Sequence, residues 1–390
     1  MKKARKRIFA VLCALACAAL LAGCAPAAEK EPGGDGPVDP PPAETVSELT
    51  FDEGTAEEYV NWYGRYYRDE RAGSVFVNNS ASGFEVRFDG TQLSVQLRSR
   101  TASAGFFDSS EQRNRRTYIG ISTDGGAFER RAVSQTEQVT VTLAEGLAEG
   151  EHTVKVLKST EAMGFDLEVF SLETDGAFLA APEKPARKLE IYGDSITAGH
   201  TALRSGTADE KLTTETEDAL SSYGFAASQL LGAQANVFCV SGARMGDYGD
   251  AANVIPKLYE KTDPAAPGSR AWDFSLYVPD AVIVDLGTND IILNDASFGT
   301  VFEADYKAFA AELREKYPSA AIVVCYGSYG SAAVAAQNAL FARLAQELDA
   351  SLGNVFGFEL TRAASGHPRQ EEHAANAQRL AAFLEENIFA

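Results

Sequence analysis

The chain has 390 residues, which is long for one domain and favours two. Hydrophobic residues make up 45% of the chain and charged residues 23%, a globular composition that excludes a disordered or collagen-like protein. The formal net charge of −20 repels a polyphosphate, so no nucleic-acid partner is expected.

The first segment has the layout of an export signal. Residues 2–7 are basic, and residues 8–21 form an apolar run that is too short to span a bilayer as a mature helix. The run ends in LAGC (21–24), which resembles the bacterial lipoprotein box. We therefore expect residues 1–23 to be a signal peptide and Cys24 to be lipidated. This predicts an extracytoplasmic, membrane-anchored bacterial lipoprotein, which contacts the membrane through its lipid anchor alone. The alternative is an ordinary signal with an incidental cysteine.

A tether is predicted after the anchor. Residues 24–48 hold six of the 14 prolines of the chain, together with several glycines. Proline-rich segments of this kind favour an extended backbone that acts as a stiff spacer. The tether would hold the folded part away from the membrane.

Residues 49–178 show the period of β-strands. Apolar and polar residues alternate over short segments, and turns rich in glycine separate them. The clearest segments are 84–88, 93–97, 139–143, 154–156 and 165–169. Closely spaced strands without a helical stretch predict an all-β jelly-roll sandwich.

Residues 186–390 alternate between strand and helix patterns. Five buried strands are predicted, and most are followed by a segment in which apolar residues recur at helical spacing. The strands are expected at 189–192, 236–240, 281–286, 321–326 and 355–360. This alternation predicts an α/β domain with a five-stranded parallel sheet, whose ligands bind at the carboxyl ends of the strands.

Three of those strand ends carry candidate catalytic groups. Ser195 follows the first strand in the sequence GDSIT, where a tight turn would expose its hydroxyl as a nucleophile. The Gly242 N–H after the second strand and the Asn289 amide after the third are donors suited to an oxyanion hole. Each residue by itself has a structural alternative, an N-cap for the serine and a turn for the other two.

The general base is found by elimination among the four histidines of the chain. His152 opens a strand of the sandwich, where a structural role is expected. His200 is close to Ser195 in sequence, and His373 falls within the terminal helix, where a surface or capping role is the default. His367 precedes Pro368 in the loop before that helix, at the strand-end face, and is our candidate base.

Ser195, Gly242, Asn289 and His367, in this order, resemble the four blocks of the SGNH hydrolase superfamily, also called the GDSL esterases. That resemblance implies a flavodoxin-like sheet of order 2-1-3-4-5, a serine esterase mechanism, and an oxyanion hole that includes the Ser195 N–H. No cofactor or metal is implied. Cys239 and Cys325 would lie in strands two and four, too far apart to pair, and are expected to be inert core thiols.

The similarity is closer to carbohydrate esterase family two, in which a jelly roll precedes the SGNH domain. Similar stretches are 146–162, 191–199, 240–245, 255–261, 272–290 and 366–373. This resemblance implies removal of O-acetyl groups from plant cell-wall polysaccharides, xylan or glucomannan, through an acetyl-enzyme intermediate. It also implies an aromatic residue near the sugar, and Tyr329, after the fourth strand, stands in that place; a surface packing role is the alternative.

The chain departs from the superfamily pattern in one respect. An aspartate commonly stands two or three residues before the catalytic histidine, and here those positions are Ser365 and Ala364. The resemblance to family two, some members of which work with a Ser–His dyad, implies such a dyad here, with a backbone carbonyl orienting the imidazole. Two alternatives remain open: an SGNH esterase acting on another acyl ester, such as peptidoglycan O-acetyl groups or a lipid, and a catalytically weak carbohydrate-binding lipoprotein.

Overall fold

The computed structural model describes residues 45–51, 55–100, 116–133, 137–162, 166–206, 213–249, 253–265, 270–292 and 298–390. The predicted signal peptide, Cys24 and most of the predicted tether lie outside these ranges. No helix within them is long and apolar enough to cross a membrane.

The first part of the described chain is built of antiparallel strands. They are β1 (Glu48–Thr50), β2 (Val60–Tyr63), β3 (Tyr67–Asp69), β4 (Ser74–Phe76), β5 (Gly83–Asp89), β6 (Leu93–Arg100), β7 (Tyr118–Thr123), β8 (Glu129–Ala132), β9 (Val139–Ala144), β10 (Glu151–Lys158), β11 (Asp166–Thr174) and β12 (Ala177–Leu179). One sheet has the order β3-β4-β11-β6-β9, with β1 paired to β11. The other has the order β12-β5-β10-β7-β8, with β2 paired to β5.

Side-chain alternation explains how the two sheets pack. In β6, Leu93, Val95 and Leu97 are buried, whereas the residues between them face outward. The inward side chains of both sheets form one apolar cluster. Each such side chain contributes about 1.5–3 kcal/mol when fully buried. The all-β sandwich prediction is confirmed.

The second part is a five-stranded parallel sheet of β13 (Lys188–Gly193), β14 (Gln234–Cys239), β15 (Ala281–Asp285), β16 (Ala321–Tyr326) and β17 (Val355–Glu359). Its strand order is β14-β13-β15-β16-β17. Counted within this sheet, the order is 2-1-3-4-5, as expected. Cys239 and Cys325 are both buried and free, with two strands between theirs.

Helices cover both faces of this sheet. They are α1 (Tyr223–Leu230), α2 (Ile255–Leu258), α3 (Thr288–Ile292), α4 (Thr300–Lys316), α5 (Ala332–Ala335), α6 (Asn338–Leu352) and α7 (Gln370–Asn387). Val282 and Val284 pack with α4 and α6 on one face. Ala281 and Ile283, which alternate with them, pack with α1 and α7 on the other face.

Two predicted helices differ in detail. Apolar residues at helical spacing over 334–348 predict one helix, whereas the structure has two, α5 and α6, separated by a turn at Ala336 and Gln337. The terminal helix begins at Gln370 with Arg369 as its N-cap, so Pro368 lies before the helix and not in its first turn. His367 is therefore in the preceding loop, where it was predicted to be.

A buried arginine joins the sandwich to the parallel sheet. Arg65, which follows β2, donates to Glu190 Oε1 at 2.6 Å and to the Tyr192 hydroxyl at 2.8 Å, both on β13. It also donates to the Lys261 carbonyl at 2.8 Å. Breaking a buried pair of this kind costs about 3–5 kcal/mol, because a buried charge is left without its partner. The two regions therefore hold a defined position on each other.

Candidate active site

The turn after β13 places Ser195 above the sheet. An added Cβ at Gly193 would lie 1.9 Å from Thr197 Oγ1, so this close turn requires glycine. The Asp194 carboxylate accepts from the Ile196 N–H at 2.9 Å and holds the turn. The serine hydroxyl therefore stands at the carboxyl edge of the sheet, where ligands bind in open α/β folds.

His367 reaches Ser195 from the other end of the chain. Ser195 Oγ and His367 Nε2 are 2.8 Å apart, a hydrogen-bond distance suited to proton transfer from a nucleophile to its base. The two residues are 172 positions apart in sequence. The sequence-predicted pair is thus brought together by the fold.

Several contacts hold the loop that carries His367. The Gly330 N–H donates to the Gly366 carbonyl at 2.7 Å. The Glu372 carboxylate accepts from the N–H groups of Ala364 and Arg369, each at 2.8 Å. Arg204 was not identified from the sequence, yet its guanidinium donates to the His367 carbonyl at 2.7 Å. No local motif signals this arginine, which lies in the loop that follows Ser195.

Two further histidines lie beside the base. The rings of His200 and His367 are 4.8 Å apart and nearly perpendicular, so His200 does line the site. His373 is fully buried, so the expected surface role is wrong; its Nδ1 accepts from the N–H of Tyr223, the first residue of α1, at 3.2 Å and so caps that helix. Burial, with the neighbouring His367 and Arg204, lowers the pKa of His373 to about 3, so its imidazole is neutral at neutral pH.

The turn after β14 carries Gly242. The Ala243 N–H donates to the Val240 carbonyl at 3.0 Å and closes a four-residue turn. Gly242 has φ +76°, and a Cβ there would meet nothing within 4 Å, so its backbone angle and not the space around it calls for glycine. Within the described residues, neither the Gly242 N–H nor the Ser195 N–H has a hydrogen-bond partner. Both therefore remain available as donors.

Asn289 lies in the first turn of α3. Its amide nitrogen donates to Asp194 Oδ2 at 3.0 Å and to the Ala243 carbonyl at 2.8 Å. Both amide hydrogens are therefore engaged, and donation to an oxyanion requires that one of these bonds be shared or released. The same bonds tie the turns that carry Ser195 and Gly242 to each other.

Asp194 and Asp290 hold the loops around the site through hydrogen bonds from backbone N–H groups. Asp290 accepts from the N–H groups of Met245 and Gly246 at 3.1 and 2.8 Å. Burial raises the pKa of Asp194 well above its usual value, and the nearby Asp285 adds to the rise. Burial likewise raises the pKa of Asp285 to about 6.

The remaining candidates are placed as follows. The Tyr329 ring is half-buried and lies edge-on, 5.1 Å from the His367 ring. His152 on β10 contacts Asp124 Oδ2 at 2.8 Å, a structural contact within the sandwich. In the ranges given above, no group of three or more histidine, cysteine or acidic side chains is arranged to hold a metal ion.

The sequence falls into two matched regions. The family model described as Carbohydrate esterase 2 N-terminal matches residues 62–182, and that of the GDSL-like Lipase/Acylhydrolase family matches residues 191–385. The chain belongs to the GDSL-like lipase/acylhydrolase family. In this GDSL protein the first matched region covers most of the β-sandwich, and the second covers the parallel sheet with Ser195 and His367.

Three relatives show how far the likeness extends. The GDSL protein is 34% identical over 252 residues to a cellulase/esterase of Acetivibrio thermocellus, a match that spans 64% of this chain and 28% of that protein. It is 29% identical over 254 residues to an acetylxylan esterase / glucomannan deacetylase of Cellvibrio japonicus, spanning 63% of this chain and 69% of that one. The structure of a family two carbohydrate esterase from Clostridium thermocellum in complex with cellohexaose superimposes with a TM-score of 0.73 at 27% identity, covering 84% of this chain and 98% of that chain.

Proposed function

We propose that this protein is a serine esterase that removes O-acetyl groups from a polysaccharide. One observation carries the proposal. Ser195 Oγ lies 2.8 Å from His367 Nε2 at the carboxyl edge of a parallel sheet, beside two backbone N–H groups that are available as donors. A nucleophile, a base and donors for an oxyanion are the three requirements of acyl transfer by a serine.

The reaction is a double displacement. His367 takes the hydroxyl proton while Ser195 attacks the acetyl carbonyl. The negative charge that develops on the carbonyl oxygen is stabilised by the N–H groups of Ser195 and Gly242, and by the Asn289 amide once one of its present bonds is shared. As the bond between the acetyl carbon and the sugar oxygen breaks, His367 gives the proton to that oxygen, and the sugar leaves with a free hydroxyl. Water, activated by the same imidazole, hydrolyses the acetyl-enzyme.

The catalytic unit is proposed to be a Ser–His dyad. The loop before His367 offers Ala364 and Ser365 where the superfamily commonly has an aspartate. Glu372 of α7 contacts this loop, and its carboxylate is occupied as a helix cap by the N–H groups of residues 364 and 369. An imidazole can be held in the required tautomer by a backbone carbonyl, although without a carboxylate its charged form is less stabilised.

The relatives and the site together favour a carbohydrate ester as substrate. Two relatives are named for esterase action, one of them on acetylxylan and glucomannan, and a similar family two esterase was solved with cellohexaose. Tyr329 stands edge-on to His367 with part of its ring exposed, so it can contact the sugar that bears the acetyl group. The proposed substrates are acetylated xylan and glucomannan.

The proposed location follows from the first residues. A basic start, an apolar run and the LAGC sequence at 21–24 support export and lipidation at Cys24. The protein would then act outside the cytoplasm, held at the membrane by acyl chains, with residues 25–44 as the tether, since residues 46–48 already belong to the sandwich. Metabolic labelling with a fatty-acid analogue, lost in a Cys24→Ala variant, would test this.

Acetate release decides the function. Purified protein is incubated with acetylated xylan, acetylated glucomannan and a small aryl acetate, beside its Ser195→Ala variant. Release from a polymer that disappears in the variant is the expected result. Cleavage of the aryl acetate alone would retain the chemistry and overturn the substrate. Sugar binding with no cleavage of any ester would favour a carbohydrate-binding protein.

A further inference from the structure

A charged segment of the sandwich is buried against the parallel-sheet region. It begins at the last residue of β10 and comprises residues 158–162, in which Lys158 has no exposed surface and Glu161 is 5% exposed. Charged side chains are seldom buried to this degree unless they have defined partners. The proposed mechanism so far assigns this segment no role.

The partner of Glu161 is the turn that carries Gly242. Glu161 Oε2 accepts from the Ser241 N–H at 2.7 Å, a bond between residues 80 positions apart. A hydrogen bond to a carboxylate is stronger than one between neutral groups. The sandwich therefore holds the backbone next to one of the proposed oxyanion donors.

The hydrogen bond between Ser241 and Glu161 matters because the form of this turn sets the direction of the Gly242 N–H. Residues 240–243 form a turn whose third residue, Gly242, has a positive φ, as a type II turn requires. Types I and II differ chiefly in a rotation of the central peptide, which carries the Gly242 N–H. The direction of that N–H thus depends on the turn keeping its present form. The bond from Ser241 to Glu161 fixes the peptide on one side of it.

Glu161 is itself held at both ends of its backbone. Lys158 Nζ donates to the carbonyls of Thr160 and Glu161 at 2.9 and 2.6 Å. The N–H of Glu161 donates to the Glu217 carboxylate, which belongs to the parallel-sheet region. These hydrogen bonds fix the backbone of Glu161 and so hold its carboxylate near the Ser241 N–H.

We propose that Glu161 is a positioning residue that aims the Gly242 N–H at the oxyanion formed above Ser195. This inference rests on the proposed esterase function. It means that the sandwich region contributes to turnover as well as to any contact with the polymer. The contribution falls on the transition state, so kcat should change while KM stays nearly constant.

Two variants of Glu161 test the proposal in the full-length protein. Glu161→Ala removes the acceptor of the Ser241 N–H. The kcat for an aryl acetate is divided by the fraction of active sites that an aryl organophosphonate titrates. This normalised kcat should fall about 10- to 100-fold, which is less than the effect of losing a whole oxyanion donor. KM should change by less than about two-fold. Glu161→Gln keeps an oxygen for the Ser241 N–H and should restore most of the rate.

A buried carboxylate elsewhere in the sandwich supplies the matched control. Glu168 is 1% exposed, pairs with Arg98 at 2.6 Å and accepts from the Ser74 hydroxyl at 2.7 Å, both of which lie in strands of the sandwich. Glu168→Ala should lower the melting temperature while kcat per titrated site stays at the wild-type value. Wild-type kcat in Glu161→Ala, or an equal loss in Glu161→Ala and Glu161→Gln, would overturn the proposal.

The route through Gly242 is tested by a double-mutant cycle. Gly242→Ala strains the turn, and its effect on kcat should be strongly non-additive with that of Glu161→Ala, whereas additive losses would overturn the route. Hydrogen exchange of the peptide that covers 240–245 gives a readout independent of activity. The Ser241 amide should exchange faster in Glu161→Ala, and unchanged exchange would contradict the proposal. A wild-type protein inactive on every ester would refute the esterase function instead.

Discussion

Arg204 donates one hydrogen bond to the carbonyl of His367 at 2.7 Å and thereby fixes the backbone of the proposed base. The same guanidinium donates to the Thr201 hydroxyl at 2.9 Å, and the arginine is 6% exposed. Thr201 and Arg204 lie in the loop that begins at Ser195. One buried side chain therefore links the loop of the nucleophile to the loop of the base.

Loss of this link should reduce turnover more than binding. In Arg204→Met the apolar stem remains, but the His367 and Ser365 carbonyls lose a charged donor, a change worth about 1–3 kcal/mol. We expect kcat to fall roughly 10-fold, with little change in KM, because the imidazole is less well aligned. Steady-state kinetics with an aryl acetate measure the effect. A kcat equal to that of the wild type would show that the loop needs no such support.

Asn289 is the side-chain donor of the proposed oxyanion hole, and two substitutions test that role. Asn289→Ala removes the amide that now bonds Asp194 and Ala243. If the amide is an oxyanion donor, turnover should fall about 10²- to 10³-fold. Asn289→Asp retains the size of the side chain but puts a negative charge beside the oxyanion, and should be at least as inactive. A near wild-type rate in Asn289→Ala would remove this residue from the oxyanion hole.

Gly330 packs so closely against the loop that carries His367 that it leaves no room for a side chain. A Cβ there would lie 2.5 Å from the Gly366 nitrogen, so Gly330→Ala must displace the loop. We expect a loss of activity of about 10-fold or more, in line with the cost of a 1 Å misplacement of a catalytic group. Gly353→Ala is the control, since this glycine ends α6 with φ +68° and open space around it. Its φ of 68° and ψ of 153° lie in a region that is essentially restricted to glycine, so the change should cost about 1–3 kcal/mol of stability and leave kcat unchanged.

Stability should fall in acid because of His373. Its pKa is about 3 in the folded protein and 6.5 in the unfolded chain, so the unfolded chain binds the proton more tightly between these values. The unfolding free energy therefore decreases as pH falls below 6.5, by about 1.4 kcal/mol per pH unit at most. His373→Asn keeps an acceptor for the Tyr223 N–H and should flatten this dependence. Urea unfolding between pH 4.5 and 7.5 measures it.

The control for this experiment is the half-buried His152 of the sandwich. Its pKa is raised by its hydrogen bonds to the Ala148 carbonyl and to Asp124, so its linkage has the opposite sign. His152→Asn should leave the acid-side loss of stability in place. A His373→Asn protein that loses stability with falling pH as steeply as the wild type would contradict the assignment to His373.

Local patterns in the sequence were sufficient to predict both the β-sandwich and the parallel-sheet region. Alternation in segments such as 93–97 and apolar runs such as 281–286 depend only on neighbours along the chain. The GDSIT sequence after a predicted strand located Ser195 by the same kind of local signal. His367 required a further step, but its place before Pro368 and a helix was also local information.

Contacts between distant segments had no such signal. Arg204 and Glu161 look like ordinary charged residues in the sequence, and their partners lie 163 and 80 positions away. His373 occupies a helical position that patterns leave open, and its burial against Tyr223 exists only once α1 and α7 pack together. The sequence by itself predicted the strands and the proposed Ser195–His367 pair, because these follow from short-range periodicity and motif. The tertiary structure alone decided what holds that pair and its oxyanion turn, because those groups meet only through space.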